Sequence, residues 1–152
     1  RRLYNTVMEQ VHATCIAINS AGVLLRGPSG AGKSDLALRL IDLGGRLVAD
    51  DRADLRLVDG SVVAAPPPAM AGLIEAHGLG IFKIGALSEA AIALVVDLIN
   101  AELVERLPGR EMVEILGVEL PSVRIAPFEA AAVAKVRLAV CEATRNIVRA
   151  DD

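Results

Sequence analysis

An α/β fold is predicted here: a mixed β-sheet, one helix behind a glycine-rich loop, and a second helix at the C-terminal end. Three features of the sequence predict it. Short β-branched and aliphatic runs recur between Gly, Asn, Asp and Pro. Gly27-Pro28-Ser29-Gly30-Ala31-Gly32-Lys33-Ser34 has the form G-x-x-x-x-G-K-[ST] and stands between an apolar run and a helical pattern. The last stretch, Phe128–Val148, carries Val133, Val136, Val140 and Ile147 with charges between them, the spacing of a docking helix. A length of 152 residues makes room for one domain, residues 1–152, around a single core.

Taken in order, Thr14–Ile18 and Val23–Leu25 read as strands joined by a turn at Asn19-Ser20-Ala21-Gly22. After the glycine loop, Ser34–Leu43 places Leu36, Leu40 and Leu43 on one helical face, and Gly44-Gly45 stops it. Arg46–Ala49 is a short strand running into Asp50-Asp51. Asp54–Val58 and Ser61–Ala64 form a second hairpin turning at Asp59-Gly60. Ala65-Pro66-Pro67-Pro68-Ala69 is a stiff loop, because proline lacks the amide donor and fixes φ. Gly80–Ile84 and Ala91–Asp97 read as strands, the second apolar enough to be central, and Glu102–Arg110 ends in a turn at Pro108-Gly109. Glu114–Leu120 and Ser122–Ala126 are expected as two shorter strands interrupted by Pro121.

Composition excludes several functions. Hydrophobic residues make up 53% of the chain and aromatic ones 2%, so the core must be aliphatic. The aromatic rings are Tyr4, Phe82 and Phe128, too few for a platform that stacks single-stranded bases, and a net charge of −3 gives no positive field for a nucleic-acid backbone. Cys15 and Cys141 form no CxxC or Cys/His cluster, so neither a zinc site nor a disulfide framework is suggested, and free thiols in a reducing compartment are expected. No apolar run approaches the roughly 20 residues of a membrane span, and no signal peptide is visible. A soluble, cytoplasmic protein is expected.

The glycine loop carries the chemistry. Its amides turn inward and the following helix adds its positive end, so a phosphate chain is bound largely by backbone donors along Gly27, Pro28, Ser29, Gly30, Ala31, Gly32, Lys33 and Ser34. Lys33 reaches the β- and γ-phosphates of ATP and Ser34 supplies a hydroxyl to Mg²⁺. Such a P-loop (Walker A) kinase-type core needs a carboxylate at a neighbouring strand end, and Asp50-Asp51 offers two. On a regular strand they point to opposite faces, so one faces the nucleotide, and their adjacency raises the basicity of one. No Asn-Lys-x-Asp guanine-reading element occurs, nor a Leu-Ser-Gly-Gly signature of transport ATPases. Phosphoryl transfer to a hydroxyl, or ATP hydrolysis, remains.

With the loop, Arg46-Leu47-Val48-Ala49-Asp50-Asp51 and Ile74-Glu75-Ala76-His77-Gly78-Leu79-Gly80-Ile81 in this order, the chain resembles the bacterial HPr kinase/phosphorylases from about His12 to Pro121. The resemblance implies an ATP-dependent protein-serine kinase acting on the phosphocarrier protein HPr and regulating a phosphotransferase system. It implies catalytic roles for His12, Lys33, Asp51 and Arg106, with Asp51 taking the serine proton, and Mg²⁺ ligation by Ser34 and Glu75. It also implies assembly as a hexamer and a short form without the N-terminal domain of many relatives. Two departures stand out. His77 occupies a position where the family usually has arginine. Ala126-Pro127-Phe128-Glu129-Ala130-Ala131 replaces a Pro-Val-Arg-Pro-Gly-Arg stretch, so phosphorolysis is expected to be weak. The alternatives are a small-molecule kinase on the same scaffold and a nucleotide-sensing interaction module without an acceptor. The nucleotide is expected to be gripped by its phosphates, with aliphatic contacts at most for the base.

Overall fold

The computed structural model describes residues 8–150. Tyr4 lies outside them. The predicted opening hairpin forms as β2 (Ala13–Ile18) and β3 (Ala21–Arg26), paired antiparallel from Ala13↔Arg26 to Ile18↔Ala21. Its turn residues Asn19 and Ser20 have φ of 48° and 68°, the left-handed pair that matches strand twist in a two-residue hairpin. The preceding strand, β1 (Met8–Val11), has too little apolar alternation to be read from sequence; it is exposed and pairs with β5 (Ala53–Val58). Helix α1 (Lys33–Asp42) follows the glycine loop and buries Leu36, Ala37 and Leu40.

The remaining strands are β4 (Arg46–Ala49), β6 (Ser61–Ala65), β7 (Leu73–Ala76), β8 (Gly80–Lys83), β9 (Ala90–Leu98), β10 (Glu111–Ile115) and β11 (Val118–Ile125). Among the described residues nine strands form one sheet in the order β1-β5-β6-β9-β3-β2-β4, with the β10–β11 hairpin joined to β9. β9 is central, as its apolar run predicts. It runs parallel to β3 and β11 and, at its first residues, antiparallel to β6. The mixed α/β architecture of the prediction is therefore present.

Alternation along the central strands divides the core in two. Val23 and Leu25 of β3 with Leu94, Val96 and Leu98 of β9 face α1 and α2 (Ala132–Ala143). Leu24 and Val95 point the other way, into a cluster with Leu55, Val62, Ile115 and Leu120.

The structure departs from the sequence reading at three places. Pro121 does not interrupt the strand: β11 runs through it, with the turn at Leu116-Gly117 instead. Pro121 is opposite Met112 of β10, and pairing with β9 begins only at Ser122, so the missing amide breaks no ladder on that side. The last helix is shorter than Phe128–Val148, because Ala126–Ala131 forms turns that carry the chain from β11 to α2. Finally, Ile74–Ala76 belongs to β7, which pairs with β8 in a separate two-stranded sheet. No helix among the described residues is long and apolar enough to cross a membrane.

Candidate active site

β3 delivers the chain into the glycine loop at Arg26, whose guanidinium makes two bonds to Asp97 at the end of β9, at 2.8 and 3.1 Å. This bidentate pair ties the base of the loop to the central strand. The loop then turns on Ala31 N–H to Pro28 C=O at 3.0 Å, with Gly30 and Gly32 at φ of 83° and 101°. These left-handed values are open to glycine at little cost and aim successive amides to one side. Gly32 caps α1, leaving the first-turn amides of the helix directed out of its N-terminus. Lys33, 6% exposed, folds back so that Nζ donates to the carbonyls of Gly27 at 2.6 Å and Pro28 at 3.0 Å. Its ammonium is held at the loop that would receive a phosphate chain.

The two aspartates occupy different settings. Asp50, 6% exposed, accepts three hydrogen bonds: Ser34 Oγ at 2.7 Å and Thr14 Oγ1 at 3.1 Å on Oδ1, and the Glu75 N–H at 3.0 Å on Oδ2. One buried carboxylate thus joins β2, α1, β4 and β7. Asp51 has φ of 70°, which takes it out of the strand conformation and frees its side chain from the simple alternation predicted for Asp50-Asp51. Its N–H donates to Thr14 Oγ1 at 3.1 Å, and its half-exposed carboxylate lies 3.0 Å from His12 Nε2. His12 sits at the bend where the chain leaves β1, paired with β5, and enters β2, paired with β3 and β4.

Of the residues singled out from sequence, the fold brings His12, Lys33, Ser34, Asp51 and Glu75 to one end of the sheet. Glu75 is anchored there by its own amide, while its side chain is exposed. Arg106 is not linked to this group: it lies in the exposed stretch 105–110 and makes no hydrogen bond or ion pair among the described residues. His77 is exposed at the tip joining β7 to β8. Sequence reasoning missed Thr14, Arg26 and Asp97, and offered Asp50 only as one of two candidate carboxylates. Their only signals are polar residues at the edges of otherwise apolar strands.

Fold and site together define a P-loop protein, a strand–loop–helix unit whose serine is bonded to a buried carboxylate. The family is narrower. The model of the HPr Serine kinase C-terminal domain matches residues 5–147, and the chain belongs to that family. It is similar to the HPr kinase/phosphorylase of Enterococcus faecalis, 40% identical over 131 residues that cover 78% of this chain and 42% of the relative. The enzyme of the same name from Lacticaseibacillus casei is 43% identical over 98 residues, 59% of this chain and 31% of the relative. The chain therefore spans less than half the length of these curated relatives. A solved structure, that of the Hpr(Ser) kinase/phosphatase from Coxiella burnetii, superposes with a TM-score of 0.75 at 27% identity, covering 91% of this chain and 89% of that one.

Proposed function

We propose that this chain is an ATP-dependent protein-serine kinase domain that phosphorylates a serine of HPr. The observation that carries the proposal is the pairing of a half-exposed Asp51, backed by His12, with a phosphate loop whose Ser34 is locked to a buried Asp50. Asp51 accepts the proton of the serine hydroxyl as the serine oxygen bonds to the γ-phosphorus and the bond from that phosphorus to the β–γ bridging oxygen breaks, leaving ADP. Loop amides and Lys33 stabilise the charge that develops on the transferred group. His12 orients the Asp51 carboxylate. The role of Arg106 rests on the family resemblance alone.

The donor set suits Mg²⁺. Ser34 presents a hydroxyl oxygen on the buried Asp50, and Glu75, whose amide donates to the same aspartate, carries an exposed carboxylate. Among the described residues no three His, Cys, Asp or Glu side chains gather into a cage, in keeping with an ion held by one or two protein oxygens, phosphates and water. When bound, Mg²⁺ would neutralise charge on the phosphate oxygens.

Phosphorolysis is weak in this reading, because residues 126–131 contain no arginine to bind inorganic phosphate and Glu129 adds a negative charge there. A cytoplasmic homo-oligomer, hexameric by resemblance, completes the proposal. The test is incubation of labelled ATP and Mg²⁺ with HPr of the same organism. Label on a serine is expected, and it should vanish with Lys33→Ala and Asp51→Ala while Asp51→Ala still binds ATP. Transfer that survives in Asp51→Ala overturns the role of that carboxylate.

A further inference from the structure

Phe128 is 71% exposed, yet its ring stands against the phosphate loop. A Cβ built on Gly32 would come within 2.9 Å of the ring Cζ and 3.2 Å of Cε1, and within 3.2 Å of Pro127 Cγ. The segment that carries the ring is held from behind. Pro127 and Ala126 are buried, and the Pro127 carbonyl accepts a hydrogen bond from Arg39 on the same helix that begins at Gly32. Arg39 is steadied in turn by Asp35 at 3.0 Å. The Cε1–Cζ edge of an apolar ring therefore stands at the rim of the loop, on a segment anchored to the helix whose N-terminus would meet the phosphates.

A nucleotide whose phosphates lie on the loop amides carries its base one ribose beyond the α-phosphate, so a ring at the rim of the loop is within reach of the base. Among the described residues the other aromatic ring, Phe82, lies on β8 of the separate two-stranded sheet. We infer that Phe128 is a nucleobase platform, the ring on which the base of the bound nucleotide stacks. The inference rests on the phosphate-loop reading above and replaces the expected aliphatic-only contact with the base. Stacking on a ring face accepts any base, so adenine and guanine nucleotides would both gain from it.

The test compares binding of ATP and of inorganic tripolyphosphate, which has the phosphates but no base, to the wild type, Phe128→Ala and Phe128→Tyr. Phe128→Ala is expected to weaken ATP about 10-fold, the scale of one lost base–aromatic stack, and to leave tripolyphosphate within about twofold. Phe128→Tyr keeps the ring and is expected to bind ATP as the wild type does. Unchanged ATP binding in Phe128→Ala overturns the inference, as does an equal loss for both ligands, which would make the ring a prop for the loop. A wild type that binds tripolyphosphate but gains nothing from the base overturns the platform alone. A wild type that binds neither ligand overturns the phosphate-loop reading together with it.

Discussion

The floor of the site and its rim are built from neighbouring residues and obey different physics. On the floor, Asp50 is buried and meets three donors from three other elements, so its position is over-determined. On the rim, Asp51 is half-exposed, leaves the strand through a left-handed φ and has one side-chain partner, His12. A carboxylate with several fixed donors organises structure. One with a single exposed partner keeps lone pairs available for a substrate proton. The exposed pair itself adds little stability, as expected of ion pairs in solvent. Thr14 couples the two regions, since its hydroxyl donates to Asp50 and accepts from the Asp51 amide.

Substitution can break this contrast at either end. Asp51→Asn has the largest expected effect, a fall in transfer rate of about 10²–10⁴-fold, while the unfolding free energy stays within about 0.5 kcal/mol. Asparagine suits the comparison because it tolerates the left-handed conformation that alanine resists. A loss of stability as large as that of a floor variant would erase the distinction. Asp50→Ala should reverse the pattern. It leaves the Glu75 amide and two hydroxyls without their acceptor, so denaturant unfolding is expected to show a loss of about 2 kcal/mol.

Thr14→Val, similar in shape but without the hydroxyl, is expected to cost about 1 kcal/mol and to lower the transfer rate with little change in ATP binding. Thr14→Ser should restore both, and a serine variant as impaired as valine would leave only the packing of the methyl group to explain the loss. The smallest effect is at Cys15 on β2, fully buried beside Thr14. Burial pushes its thiol from the usual 9.0 up to about 12. A raised folded-state value means that the neutral thiol's contribution is complete below pH 9 and is lost as pH climbs from 9 toward 12. A thiol reagent at pH 8 is expected to label partly exposed Cys141 in the native protein and Cys15 only on unfolding. Rapid native labelling of both would show that the floor opens.

Much of the fold was legible locally. The opening hairpin, the loop, α1, β4, the β5–β6 hairpin and the central β9 each combine an apolar period with a turn or cap signal a few residues away, so short windows suffice to find them. β1 and β7 escaped notice because an edge strand and a small separate sheet bury little and leave little pattern. Pro121 misled because whether a proline breaks a ladder depends on which side the neighbouring strand lies, and neighbours are assigned by the whole sheet. In the site, Lys33 and Ser34 were legible from the loop spacing. His12, Glu75 and Arg106 entered only through family resemblance, and the fold links the first two to the loop but not the third.

The sequence by itself determined the phosphate loop, its helix and the strand that ends in two aspartates, because backbone conformation and amide direction there depend on residues within one turn of each other. Only the tertiary structure decided which aspartate is buried and which is half-exposed beside His12, that Thr14 bridges them, and that Phe128 stands at the rim of the loop. Those outcomes depend on contacts between residues far apart in sequence: 36 positions separate Thr14 from Asp50. Local periodicity carries no record of such distances, and the pairing of strands across the sheet sets them.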